Sequence, residues 1–455
     1  MEKPISSRAP VAVWPDGVPK PLMPYTPAIK AGGWLFVAGQ LASDFETGVA
    51  PEAKTANPNL ANQLTLQSRY IMGNLAKTVA AAGRDINRDS VRIWQWYASP
   101  YPTMEEFKEG NTWPRISTTP HIIERNVHIQ DPRPASTAMG IKELLVKDTL
   151  LEVDLICVDD DEESSGFKVP DGVPSPLAGY SPAIRRGDWI FLSGELPTDW
   201  KGDFESPVHL GEPSSLAIEA RVNPYLWYDS EIEKQTEYTL WKLSKIAEEA
   251  GTSLSRAVKA EVYIGDPSDF QGMEKVWKRW FPENPPARVV IPYMGLGGRG
   301  SRVEVALTLL ANDSKKVIET IHTDKAPKPF SHEPQAVKGD NLLFLSQQLP
   351  ADEDGLLAEG LSRHPNFPYY GQPSRQQMTY MLKNVAAICE AAGTSLDNVV
   401  RRACFHDHGE HFAEAIDEWA AHFPGLKPVS TTIILGGPHV VPGAHTLLDL
   451  IAYVP

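Results

Sequence analysis

Apolar residues recur at helical spacing in three places along the chain. Leu240, Leu243, Ala247 and Ala250 fall at i, i+3, i+7 and i+10, one stripe of a helix. Met72, Leu75, Val79 and Ala82 form the same stripe upstream, and Leu382, Val385, Cys389 and Ala392 form it downstream. Each stripe runs into a glycine (Gly83, Gly251 or Gly393), the residue that most easily takes the left-handed conformation just past a helix end. A strand-like segment follows each helix, "AVKAEVYI" in the middle copy. "DWIFLSGEL" and "RVEVALTLL" also read as strands, from their β-branched and aromatic content. A second helix, "FQGMEKVWKRWF", lies between them. The pattern predicts, per copy, a hairpin, a helix, a strand, a second helix and a final pair of strands. That is an α+β unit with two helices on one face of a mixed sheet.

The text around the stripes repeats as well. "WPDGVPKP" at Trp14 matches "VPDGVPSP" at Val169, and "YTPAIKAGGWLFVAGQL" at Tyr25 matches "YSPAIRRGDWIFLSGEL" at Tyr180. "EPQAVKGDNLLFLSQQLP" from Glu333 is a fainter third copy. "AEEAGTSLSRAVKAEVYI" returns as "CEAAGTSLDNVVRRACFH", and more weakly as "VAAAGRDINRDSVRIWQW". We therefore expect three units, at residues 1–158, 159–314 and 315–455. "VDDDEESSG" and "NDSKKVIETIHTDKAPKP" read as the linkers between them. Each unit carries a long loop after its hairpin, at 45–62, 201–230 and 353–374. Loops of this length are often functional, and their aromatic residues point to ordered lids.

Composition narrows the function classes. Of 455 residues, 42% are apolar and 22% charged, enough for packed cores. No apolar run reaches the length of a membrane span, and the first residues lack the apolar stretch of a secretory signal. The formal net charge of -15 disfavours nucleic acid or an anionic membrane as partner. Cys157, Cys389 and Cys404 are widely spaced and odd in number. They read as reduced structural thiols in a cytoplasmic protein, without a zinc ribbon.

Four segments of unit two occur in a telling order: "YSPAIRRGDWIFLSGELP", "AEEAGTSLSRAVKAEVYIGDPSDF", "NPPARVV" and "RVEVAL". In them the chain resembles the RidA/YjgF/UK114 family of enamine and imine deaminases. The resemblance covers nearly all of unit two, unit three moderately and unit one in patches. Members of that family are single units that assemble as homotrimers, with ligand pockets between subunits. The resemblance therefore implies three chorismate-mutase-like units closing an intramolecular pseudo-trimer. It implies a cofactor-free site in which Arg288 grips a substrate carboxylate and Glu304 works with a catalytic water. Tyr180, Ser193 and Gly194 line that site, and Tyr25 lends a wall from a neighbouring unit. A guanidinium suits the first role because it presents two parallel donors to a carboxylate. A carboxylate suits the second because it can orient water and accept a proton.

The copies differ at these positions. Ser136 and Ser430 stand where unit two has Arg288, Glu152 and Leu447 where it has Glu304, and Tyr25 and His332 where it has Tyr180. Ala38-Gly39 and Ser346-Gln347 replace Ser193-Gly194. Unit two alone holds both arginine and glutamate, so we expect one family-like site there. The expected activity is hydrolysis of a carboxylate-bearing enamine or imine with release of ammonia, on a substrate such as 2-iminopropionate or a 2-aminomuconate-like acid. The alternatives are a small-molecule-binding or protein-stabilising module, and a hydrolase with a new site at a Ser136 or Ser430 interface. Further self-association of the rings is left open. "FHDHGEHF" groups His406, His408 and His411, but it aligns with a strand-to-helix loop that has no histidine in unit two, so no metal is expected. "GLGGRG" (Gly295 to Gly300) precedes a strand and reads as a hairpin turn, lacking phosphate-loop geometry. The sequon at Asn312 reads as chance.

Overall fold

A computed structural model describes residues 9–57, 59, 62–98, 117–160, 162–176, 179–200, 215–223, 225, 229–293, 298, 300–362 and 372–455. Unit one contains β1 (Val11–Val13), β2 (Ala28–Ala31), β3 (Trp34–Leu41), α1 (Gln63–Ala81), β4 (Ser90–Ala98), α2 (Thr119–His128), β5 (Ala135–Ile141), β6 (Glu143–Leu144) and β7 (Leu151–Val158). Unit two contains β8 (Ser165–Phe167), β9 (Ala183–Arg186), β10 (Trp189–Glu195), α3 (Glu231–Glu249), β11 (Ala257–Ile264), α4 (Phe270–Trp280), β12 (Ala287–Pro292) and β13 (Val303–Leu310). Unit three contains β14 (Ile318–Ile321), β15 (Ala336–Gly339), β16 (Leu342–Leu345), α5 (Pro373–Ala391), β17 (Val399–His406), α6 (Phe412–His422), β18 (Val429–Ile434) and β19 (Thr446–Tyr453). Among the described residues no helix is long and apolar enough to cross a membrane.

Each unit folds the same way. Unit one runs β1-β2-β3-β7-β4-β5, and units two and three repeat that order. The second helix of each unit crosses over between two parallel strands, β4 and β5, β11 and β12, or β17 and β18. All other pairings are antiparallel, so the sheets are mixed. The three helical stripes are buried as their spacing predicts, and Gly83, Gly251 and Gly393 take φ of 74°, 79° and 78°.

Two expectations change. The last two strands of a unit are not paired with each other, because β11 lies between β12 and β13. "GLGGRG" therefore does not close a hairpin, and most of it lies outside the described residues. The expected linkers are not only linkers. Ser165–Phe167 and Ile318–Ile321 are edge strands that open the next sheet, as Val11–Val13 does for the first. Of the long loops, residues 58, 60–61, 201–214, 224, 226–228 and 363–371 lie outside the described residues. The first part of the unit-one loop is ordered by a bridge between Ser43 and Val49.

The sheets have two unlike faces. In unit two, Val290, Val303, Val305 and Leu307 pack under α3 and α4, whereas Ala287, Val289, Ile291 and Tyr263 point into a core that draws on all three units. That central core contains Phe36 and Trp96 of unit one, Phe191 and Tyr263 of unit two, and Phe344 and Phe405 of unit three. Buried ion pairs close the ring around it. Arg92 of unit one pairs with Glu261 of unit two at 2.7 Å, Lys259 of unit two with Asp449 of unit three at 2.5 Å, and Arg401 of unit three with Asp154 of unit one at 2.9 Å. β6 of unit one also joins the sheet of unit three beside β18.

Candidate functional site

Successive residues on a strand point to opposite faces. Arg288 follows Ala287 and precedes Val289, both axial, so it points toward the helices of its own unit. Glu304 lies between Val303 and Val305, both under the helices, so it points to the axial side. The structure does not bring Arg288 and Glu304 together, against the expectation of one site holding both. Arg288 lies at the interface of units two and three, and Glu304 at that of units one and two.

At the interface of units two and three, Arg288 is fully buried and doubly neutralised. It pairs with Glu274 of α4 at 2.7 Å and with Glu333 of unit three at 2.9 Å, and its guanidinium lies 4.9 Å from the centre of the Trp277 ring. Its amide donates to Ser346 Oγ at 3.2 Å. Register corrects one alignment here. The Ser193 amide donates to Pro182 O and the Ser346 amide to Gln335 O, so Glu333, not His332, stands where unit two has Tyr180. Leu447 faces this interface in place of a glutamate. Arg288 is thus held between two carboxylates at this interface.

At the interface of units one and two, Tyr180, Ser193, Gly194 and Glu304 do meet. A Cβ on Gly194 would collide with the Glu304 carboxylate, which also borders Thr137 of unit one. Ser193 Oγ accepts from the Ser136 amide and donates to Ser181 O, both at 2.8 Å. Burial, reinforced by Glu195, raises Glu304 to about 8. Burial also pushes Tyr180 well above the usual phenol range. Beside Arg92, which pairs with Glu261, this interface holds a second buried cation, Arg125 of α2, which donates to Gly179 O at 2.5 Å and has no carboxylate partner among the described residues.

At the interface of units three and one lies a cavity of about 220 Å³. Ser430 holds the position of Arg288, but a guanidinium is still present. Arg402 sits beside Ser430 on the neighbouring strand, β17. It is 2% exposed, donates to Ser430 Oγ at 2.7 Å and to Thr432 Oγ1 at 3.0 Å, and lies 4.6 Å from the centre of the Trp419 ring. Trp419 corresponds to Trp277, so Arg402 occupies the place of Arg288 from one strand away. The two acids are gone. Ile416 stands where unit two has Glu274, and Tyr25 where unit three has Glu333. Among the described residues no carboxylate pairs with Arg402, and burial lowers its pKa.

The same cavity is lined by Glu152, Gly39 and Tyr25 of unit one. Burial, together with Asp154, raises Glu152 well above the ordinary carboxyl range, while the Thr432 amide donates to it across the interface. Burial raises Tyr25 as well. Leu22, Leu41, Phe45, Val146, Phe412 and Ile416 supply apolar wall. Sequence reasoning missed Arg402. Its signal was a second arginine in "VVRRACF", at a position that is Ala260 in unit two and Ile93 in unit one.

The histidine segment is also reorganised. His406 and His408 do not converge with His411. Asp407, His411 and His445 do, and they form the one potential metal-ligating group found among the described residues. The three cysteines are free and buried.

A profile of the family described as Endoribonuclease L-PSP matches residues 17–159, 172–310 and 323–436. A RutC family protein of Pyrococcus abyssi is 33% identical over 118 residues, covering 26% of this chain and 76% of its own length. The 3-aminoacrylate deaminase RutC of Acinetobacter baylyi is 28% identical over 138 residues, 30% of this chain and 91% of its own length. The solved structure of RidA from an Antarctic Psychrobacter species aligns at 25% identity over 32% of this chain and 99% of its own, with a TM-score of 0.25. With the profile matched three times across most of its length, the chain belongs to the Endoribonuclease L-PSP family as three tandem units.

Proposed function

We propose that the cavity between units three and one hydrolyses an enamine or imine that carries a carboxylate, releasing ammonia. One observation carries this reading: a buried guanidinium with no carboxylate partner among the described residues, Arg402, lines the same cavity as a buried carboxyl of raised pKa, Glu152. Arg402 supplies two donors for the substrate carboxylate. Glu152, whose burial favours its protonated form, first gives its proton to the enamine carbon or the imine nitrogen. The carboxylate so formed takes a proton from water as the water oxygen bonds to the iminium carbon. It returns that proton to the nitrogen, then takes the hydroxyl proton as the C–N bond breaks and the C=O bond forms, which leaves a keto acid, ammonia and Glu152 protonated again. A carboxyl with a raised pKa suits this alternation of acid and base. No redox partner is needed.

The deaminase name of the Acinetobacter relative supports the reaction class. The apolar wall favours an alkyl or aromatic substituent beyond the carboxylate. A polyanion such as RNA fits poorly with a net charge of -15 and a site holding a single cation. The test is ammonia release from 2-imino acids generated in place from alanine, leucine and phenylalanine by an amino acid oxidase. Losing a charge-assisted anchor costs roughly 1.5–3 kcal/mol, so Arg402→Met should lower kcat/KM about 10- to 150-fold. Turnover by the wild type that survives unchanged in Arg402→Met would remove the site. Saturable binding without turnover would make the cavity a binding module.

A further inference from the structure

The corner where the parallel crossover meets the last strand is built differently in units two and three. In unit two, Asp269, just before α4, pairs with Arg302, just before β13, at 2.7 Å. In unit three, strand register sets His411 in the place of Asp269 and His445 in the place of Arg302. Asp407, where unit two has Gly265, adds a carboxylate between the two rings. Asp407 Oδ1 lies 2.6 Å from His411 Nδ1, and its Oδ2 lies 2.9 Å from His445 Nδ1. The ring centroids are 3.7 Å apart. The three donor atoms all lie within 4.8 Å of one another.

The surroundings hold this group in place. The His408 amide donates to Asp407 Oδ1 at 2.7 Å, and the His445 amide donates to Gln377 at 2.8 Å. Such outer bonds orient ligands in metal centres. A third imidazole, His439, is 2% exposed, lies near enough to feel the charges of Asp407, His411 and His445, and has neither ring nitrogen partnered among the described residues. A buried polar group left unpartnered is costly, so it points to something that engages it.

We propose that Asp407, His411 and His445 bind a divalent first-row transition metal ion such as Zn²⁺. Two imidazoles and one carboxylate suit zinc, cobalt, nickel or ferrous iron, whereas Mg²⁺ and Ca²⁺ take oxygen ligands. Three protein ligands leave a coordination position for water or for His439. A bound ion ties the end of β17 to the start of α6 and the entry to β19. Phe412, next to His411, lines the cavity, so the ion would also fix that wall. The site stands apart from the proposed deamination and does not depend on it.

The test uses the full chain stripped with a chelator and then titrated with Co²⁺, followed by visible absorption, and with Zn²⁺, followed by calorimetry. One equivalent of each is expected to bind, with a rise in Tm. The double substitution His411→Asp, His445→Arg rebuilds the ion pair of unit two, so it should fold while losing the cobalt band and the zinc heat. Circular dichroism checks that fold, and Asp407→Asn, which keeps both histidines, should weaken binding at least tenfold. Absence of saturable uptake, or uptake unchanged in the double variant, would overturn the proposal. Equal binding of Mg²⁺ would overturn the ligand assignment.

Discussion

Arg288 and Arg402 lie over equivalent tryptophans, yet their surroundings differ. Glu274 and Glu333 absorb the charge of Arg288, whereas Ile416 and Tyr25 stand in their places around Arg402, which has no carboxylate partner among the described residues. The motif "NPPARVV" drew attention to Arg288, but a motif does not report which acids fold onto it. Glu333 is 45 residues away in the chain, in another unit. Arg288→Met should therefore act on stability. Two buried carboxyls lose their counter-ion, at a cost of about 3–5 kcal/mol in chemical denaturation, while kcat/KM of the folded protein stays near the wild-type value. A fall in kcat/KM matching that of Arg402→Met would contradict this division of roles. Glu304 gives a second test at this scale. Its folded pKa of about 8 stands above its unfolded value, so the native state binds the extra proton. Its contribution to stability is complete below about pH 4 and is lost as pH rises through 8. Tm measured from pH 5 to 9 should fall less steeply in Glu304→Gln than in the wild type.

Elements were legible wherever local chemistry fixes them. The three stripes and their terminal glycines marked α1, α3 and α5 correctly, because a helix face and a left-handed cap are short-range features. Gly251→Ala forces a Cβ into φ of 79° and should cost about 1 kcal/mol in urea unfolding. A loss near zero would mean that the helix end can unwind freely. The edge strands at Ser165–Phe167 and Ile318–Ile321 were read as linkers, since three or four polar-rich residues carry no periodicity of their own. Their strand character comes from the partner they meet. The shift of a guanidinium from the β18 position to β17 was hidden for a related reason. Column-by-column comparison of copies sees Ser430 as a loss, whereas a parallel ladder makes Arg402 its neighbour. The fold thus places Arg288 and Glu304, expected together, at two different interfaces.

Ring closure is the property that no single unit contains. Three units were legible from the repeats, but the charges that join them were not: Arg401 and Asp154 are 247 residues apart. Asp449 is the hub, since it takes both Lys259 of unit two and Arg401 of its own unit. Arg401 in turn reaches Asp154 of unit one, and the Trp94 ring lies 4.1 Å below its guanidinium. Removing one member of a buried pair leaves its partner charged in a poor dielectric, whereas removing both can be nearly neutral. Asp449→Asn should therefore lower unfolding free energy by about 3–5 kcal/mol and expose the ring to opening between units two and three. Replacing Lys259 by Met in the same chain should recover much of that loss, a coupling that a double-mutant cycle reads directly. Additive effects of the two substitutions would mean that the pair does not hold the units together and that the shared aromatic core alone closes the ring.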